Sequence, residues 1–265
     1  MRLFVSGLQK LTTRMATLLT FGLLAGLLVM IDLAVATTRG AGSNGGGDPL
    51  ALVTFPGAYD LMLSFLFGLG GLFAVIYGAA IAGSEWTWGT LKTAVVRGES
   101  RSRYMLATFA AIALVLAFGL LVAFVIGVGA AALGSTIAGI PLDGIGDTTA
   151  LAALPEHFAR GWVAITATAA LGFAVATLAR SQLAGIGVGI AFYFGETFAG
   201  IFLPEVVRFL PFHLSQAAVG GRESFGGPPD PGALSITTAL ILVTVWLVGS
   251  LIVAAAFTER AEITG

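Results

Sequence analysis

The sequence predicts an all-α polytopic membrane protein with six transmembrane helices, and three observations carry that prediction. Of 265 residues, 57% are hydrophobic and only 10% charged, whereas a water-soluble domain carries about 25% charge. The apolar residues gather into runs that meet the roughly 20 residues a bilayer crossing needs. Each run is closed by charge, proline or glycine, at Thr37–Pro49, Ser84–Arg103, Gly134–Arg160, Arg180-Ser181-Gln182 and Pro204–Pro231.

The spans read Met15–Ala36, Tyr59–Gly83, Tyr104–Leu133, Gly161–Leu178, Leu183–Leu203 and Leu234–Phe257, within one domain and with no internal repeat. The third is about half again as long as a crossing requires, so it tilts or projects beyond the hydrocarbon. Spans four and five are so closely joined that they form a tight hairpin. The run Gly40–Gly47 reads as a flexible loop tip. Arg2, Lys10 and Arg14 before span one, with Ala34-Val35-Ala36 at its end, imitate a signal peptide. The apolar run outlasts the roughly 7–15 residues of a signal-peptide core, which favours a retained span.

Basic residues fix the expected orientation. With the N-terminus inside, Arg2, Lys10, Arg14, Lys92, Arg97, Arg101, Arg103, Arg180 and Arg260 fall on the inner side, leaving Arg39, Arg160, Arg208 and Arg222 outside. Both termini are then cytoplasmic, as an even number of crossings requires.

Composition also removes function classes. A net charge of −1 provides no field for nucleic acid. Cysteine is absent, and His157 and His213 are too far apart for a zinc-hydrolase motif. With no metal-ligand cluster and no nucleophile–base pair, no catalytic residue is assigned.

Two cytoplasmic features stand out. Before span one, Phe4, Leu8, Leu11 and Met15 share one helical face, with Arg2, Ser6, Lys10 and Thr13 opposite. This reads as an interfacial helix, apolar side in lipid and cations near phosphates, or as an ordinary basic flank. After span two, Ser84 is placed as an N-cap with Glu85 in the first turn of a short helix. Trp88, Leu91 and Val95 form its apolar stripe, Gly98 stops it, and Trp86 and Trp88 can anchor it at the headgroups.

This second loop resembles permease subunits of ABC-2 type exporters. The resemblance is carried by Gly83, Glu85, Gly89, Thr90, Leu91 and Lys92, then Arg97, Gly98, Ser100 and Arg101 before a long span. It extends to the N-terminal helix with Gln9-Lys10-Leu11 and Arg14, to the six spans, and to Phe209-Leu210-Pro211-Phe212 in a short-helical outer segment. Two positions depart from the family pattern: Thr108 stands where relatives often have lysine, and Gln9 where they often have glutamate.

The resemblance implies a dimer of permeases in a prokaryotic cell (inner) membrane, each bound to an ABC ATPase subunit through the coupling helix between spans two and three. The second permease is an identical or homologous copy. Glu85, Trp88, Gly89, Thr90, Leu91, Lys92, Arg97 and Arg101 are then the coupling residues, with Glu85 touching the ATPase. No Gly-x(4)-Gly-Lys-Ser/Thr loop is present, so ATP and Mg belong to the partner subunit and this chain binds no cofactor itself. By the same likeness Phe65, Phe73, Tyr77, Phe192, Tyr193 and Phe198 are candidate walls of the substrate path, with lipid-facing or core packing as the alternative.

Gly185 and Gly189 make a small-xxx-small face suited to dimer packing or to internal packing, and Gly22 and Gly26 repeat the spacing. Asp32 and Glu196 are the acids well inside predicted spans, where a carboxylate costs about 2.5–3.5 kcal/mol to insert. Asp32 is expected to reach the outer interface. Glu196 lines the path, binds a cation, or accepts a hydrogen bond near the outer gate. A hydrophobic or amphipathic cargo is expected from the aromatic walls. The competing function is a self-sufficient channel or ion-coupled carrier using Asp32 and Glu196, against which no inverted repeat or pair of broken spans is visible.

Overall fold

The computed structural model describes residues 2–37, 50, 53–96, 98–220 and 234–261. Arg97, the run Gly40–Gly47, Arg39, Arg222 and the stretch to Pro231 therefore lie outside the described residues. Among those described, the chain is helical throughout, with no strand. Six helices are long and apolar enough to cross a membrane, so the chain is a multi-pass membrane protein.

Helix α1 (Arg2–Thr12) precedes the first crossing, α2 (Met15–Ala36). The second crossing is α3 (Gly57–Thr87), followed by the short α4 (Thr90–Val96) and the third crossing, α5 (Arg101–Ala138). A single turn at Asp143–Gly146 leads to α6 (Thr148–Ala179), then α7 (Gln182–Phe202). Two short helices, α8 (Pro204–Val207) and α9 (Pro211–Ala218), come before the last crossing, α10 (Ile236–Arg260).

Span one coincides with α2, but the other helices outrun the apolar stretches. Hydropathy marks only the segment in hydrocarbon, whereas backbone hydrogen bonding continues into the polar flanks. The largest excess is in α6, which begins well before Gly161. Its true start is Asp147, whose carboxylate accepts from the Ala150 N–H at 2.8 Å. Pro155 and the pair Glu156–Arg160 sit inside this helix, where the sequence reads as loop. The α6–α7 connection is the expected hairpin: Arg180 adopts a left-handed φ of 50° and Ser181 caps α7.

At one end of the bundle lie Lys10, Arg14, Lys92, Arg101, Arg103, Arg180 and Arg260; this is the basic end. The opposite end carries Asp60, Asp143, Asp147 and the Glu205–Arg208 pair. The apolar face of α1 meets α5 where the sequence places lipid: Leu11 is buried, Phe4 and Leu8 pack on the core, and Gly7 abuts Ala111. Met15 does not continue this stripe. The chain bends at Arg14 into extended backbone, and Met15 opens α2 facing outward.

The core is centred on α3 and α6, two parallel helices in the most extensive contact of the fold. Their backbones touch reciprocally. A Cβ on Gly78 would collide with the Ala169 carbonyl, and one on Gly172 with the Val75 carbonyl. Small residues permit this approach, which gains dispersion where lipid offers no hydrophobic drive between helices.

The fifth-span glycines serve the same internal purpose. Gly185 faces Ala176 of α6 and Gly189 faces Val75 of α3, so the dimer-packing expectation for them is corrected. Gly22 and Gly26, by contrast, have no neighbour within 4 Å of a built Cβ.

Gly78→Ala is expected to cost about 1–3 kcal/mol, because backbone cannot yield as a side chain can. Gly187→Ala, which meets nothing within 4 Å, stays within about 0.5 kcal/mol. Thermal unfolding of the detergent-solubilised protein reads both.

Candidate functional site

The polar centre of the basic end is Glu85, and its place differs from the sequence expectation. It lies in the last turn of α3 rather than the first turn of a separate helix. Ser84 is not an N-cap; its hydroxyl donates to the Ile81 carbonyl at 2.8 Å and accepts from Arg14 Nη1 at 2.7 Å. The chain leaves α3 through Trp88 and Gly89, the latter at φ 65°, and starts α4 at Thr90.

Four donors converge on the Glu85 carboxylate. Oε1 accepts from Lys10 Nζ at 2.6 Å and Arg14 Nη2 at 3.3 Å. Oε2 accepts from Tyr104 Oη at 2.6 Å and from the Thr90 hydroxyl. Each oxygen thus takes two donors, which fills the capacity of a carboxylate. The side chain is 1% exposed, against 12% for Arg14 and 32% for Lys10.

A buried charge persists only when paired and fully hydrogen-bonded, and here the pairing joins α1, the start of α2, α3, α4 and α5. The expectation that Glu85 touches a partner subunit directly is corrected, since the chain's own residues occupy it.

The other coupling residues divide by face. Leu91 and Ala94 are buried and hold α4 to the bundle. Trp88 is 65% exposed with Arg14 stacked 4.9 Å from its ring centroid, and Val96 is 87% exposed. Lys92 and Thr93 share that outer side. Gly98, at φ 87°, ends the segment as expected. Arg101 faces the chain itself: Nη1 donates to the Ala261 carbonyl at 2.6 Å.

Of the candidate path residues, Tyr77 is removed from any wall. It is fully buried, and its hydroxyl pairs with Thr17 Oγ1 at 2.9 Å. Phe65 and Phe73 pack on the core, and Phe198 is exposed on α7. Phe192 and Tyr193 bracket Phe212 of α9, at 6.2 and 5.0 Å between centroids. Phe192 also lines an apolar cleft of about 200 Å³ with Val75, Leu171, Gly172, Val175, Val188 and Gly189, between α3, α6 and α7.

The two acids in the spans have opposite surroundings. Glu196 is 2% exposed and caps α9, accepting from the Phe212 N–H at 3.1 Å, the His213 N–H at 3.1 Å and His213 Nδ1 at 3.3 Å. Of its expected roles, hydrogen-bond acceptance is the one the geometry displays. Asp32 does not reach the interface. It is 1% exposed between α2 and α5, and neither carboxylate oxygen has a hydrogen-bond partner. Its own carbonyl lies against Gly134.

Residues 47–263 match the family described as "Protein of unknown function (DUF2705)". The chain belongs to the DUF2705 family. The uncharacterised protein YhcI of Bacillus subtilis (strain 168) is 24% identical to it over 203 residues, covering 70% of this chain and 62% of YhcI. The chain thus spans about three fifths of that relative's length. The DUF2705 match opens beyond α2. It includes Glu85, Thr90 and Tyr104 but leaves out Lys10 and Arg14, so the acid of the cluster lies in the matched region and both its cations precede it.

Sequence reasoning missed Tyr104, Ser84 as an Arg14 partner, and Glu259. One signal was present: an acid at the end of a crossing needs cations, and Lys10 and Arg14 supply two. A double-mutant cycle of Glu85→Gln with Tyr104→Phe is expected to give an interaction energy of about 0.5–3 kcal/mol, read by thermal unfolding. Glu196→Ala, which strands the Phe212 and His213 N–H groups, should cost about 1–3 kcal/mol, and Glu196→Gln, which keeps an acceptor, markedly less.

Proposed function

We propose that this chain is the membrane permease subunit of an ABC exporter, moving a hydrophobic or amphipathic cargo outward with energy from ATP hydrolysed on a separate nucleotide-binding subunit. The observation that carries this reading is α4. It is a short helix at the basic end, fastened by Leu91 and Ala94, and its outward side shows Trp88, Lys92, Thr93 and Val96. The positive-inside rule puts that end, and both ends of the described chain, in the cytoplasm. A cytoplasmic ATPase would meet α4 there.

A push on α4 would pass through Thr90 to Glu85, and from Glu85 to α2 through Arg14 and to α5 through Tyr104. Glu85 then acts as the buried transmitter beneath the docking face. The cleft beside Phe192 is wholly apolar and suits an aliphatic or aromatic portion of a cargo.

The second reading is an ion-coupled carrier, favoured by the unpartnered Asp32 carboxylate, since an intramembrane acid is a functional candidate by default. Flux by the lone protein in liposomes that Asp32→Asn abolishes would support it over the first.

Affinity purification from native membranes is expected to recover a stoichiometric ABC ATPase. Trp88→Ala with Val96→Asp should reduce its recovery by about tenfold, the effect of losing roughly 1.4 kcal/mol of binding. Thermal stability should move by no more than about 0.5 kcal/mol, because both positions are exposed. Glu85→Ala should abolish cargo-stimulated ATPase activity of the complex; unaltered stimulation would defeat the transmitter role.

A further inference from the structure

The last turn of α10 has a burial pattern that its composition does not require. Most of α10 is exposed, with Ile241, Val245, Ile252 and Val253 facing outward. Its tip is nevertheless inserted: Thr258 is 0% and Ala261 4% exposed. A peripheral helix end that makes no specific contact frays. This one is held by two sets of contacts.

The first is a reciprocal exchange of caps with α5. Ser100, the residue before α5, makes no side-chain cap. The Glu259 carboxylate takes that place, accepting from the Ser102 N–H at 3.0 Å and the Ser102 hydroxyl at 2.5 Å. In return Arg101 Nη1 donates to the Ala261 carbonyl at 2.6 Å and the Glu259 carbonyl at 3.3 Å. An anion thus sits at the positive start of α5 and a cation at the negative finish of α10, each satisfying backbone groups the other helix leaves open. The second set is a stack. The Arg180 guanidinium lies 5.3 Å from the Trp86 ring and 5.4 Å from the Phe257 ring, tying α10 to α3 and to the α6–α7 turn.

These contacts fall where α5 begins, one short connection after α4. The segment from Thr90 to Ser100 is therefore fixed at both ends, to Glu85 at its start and to Glu259 at its finish.

We propose that Glu259 is a positioning residue that, with Arg101, makes the tip of α10 the second tether of the α4 segment and links α4 displacement to the sixth crossing. The functional part of this rests on the reading of α4 as the docking element; the tether itself does not.

The test uses the full chain in phosphatidylethanolamine–phosphatidylglycerol liposomes, with nitroxide labels on Thr93→Cys and Val248→Cys. The chain has no cysteine of its own, so no other position is labelled. Double electron–electron resonance should give a narrow α4–α10 distance distribution. Glu259→Ala should broaden it about twofold, as a helix end released from its cap opens locally. Arg101→Ala should broaden it similarly, and the two together no further. Glu259→Gln, which keeps an oxygen for the Ser102 N–H, should retain a distribution close to the parent.

If Glu259→Ala does not fold, Arg101→Ala carries the comparison with Glu259→Gln. Superimposable distributions for parent and alanine variants, or a glutamine variant as broad as the alanine one, would overturn the tether. No ATPase is present in this measurement. A failure to co-purify an ATPase would therefore sink the docking reading alone, and unchanged widths would sink the tether alone.

Discussion

A carboxylate withdrawn from water at the end of a membrane helix has to be answered by charge and by donors, and the basic end of this protein is organised around that requirement. Glu85 has almost no solvent, so every lone pair must find a partner within the chain. Lys10 and Arg14 supply the charge, while Thr90 and Tyr104 supply neutral donors. Several features follow from this one demand. The chain bends between α1 and α2 at Arg14, α1 lies along α5 rather than apart from the bundle, and the turn into α4 brings Thr90 back to the acid five residues before it. The price of removing the carboxylate leaves two cations in partly buried positions with nothing else to bind.

How far the fold was legible depended on the range of the physics involved. Local hydropathy found all six crossings because lipid exposure is a property of contiguous sequence. It missed the helical stretch from Thr148 to Arg160, whose residues are too polar for lipid and which contains Pro155. The N-cap Asp147 was the available signal there. The small-xxx-small spacing of Gly185 and Gly189 was read correctly as a close-approach surface, but spacing does not say which helix approaches. That answer lies in Val75 and Ala176, on other helices. Pairing was least legible. Lys10 and Glu85 are 75 positions apart, and nothing in either neighbourhood encodes the other.

The two buried acids of the membrane region show why residue type alone underdetermines role. Glu196 and Asp32 face similar insertion costs. Glu196 meets the start of α9, where Pro211 lacks an N–H and the next two residues present theirs without helical acceptors. Its charge is therefore opposed by backbone dipoles that exist only once α9 has folded back against α6 and α10. Asp32 has no such structure near it. The arrangement of α9 thus explains one acid completely and the other not at all.

The mutual glycine contact of α3 and α6 has a mechanical consequence. Two parallel rods whose backbones interlock at Gly78 and Gly172 cannot slip lengthwise without a carbonyl overriding a Cα. They can tilt together, but shear between them is blocked. Any shape change must then be borne by the helices that border lipid, chiefly α2, α7 and α10, and the thickness and lateral pressure of the surrounding bilayer become part of the energy that sets their positions.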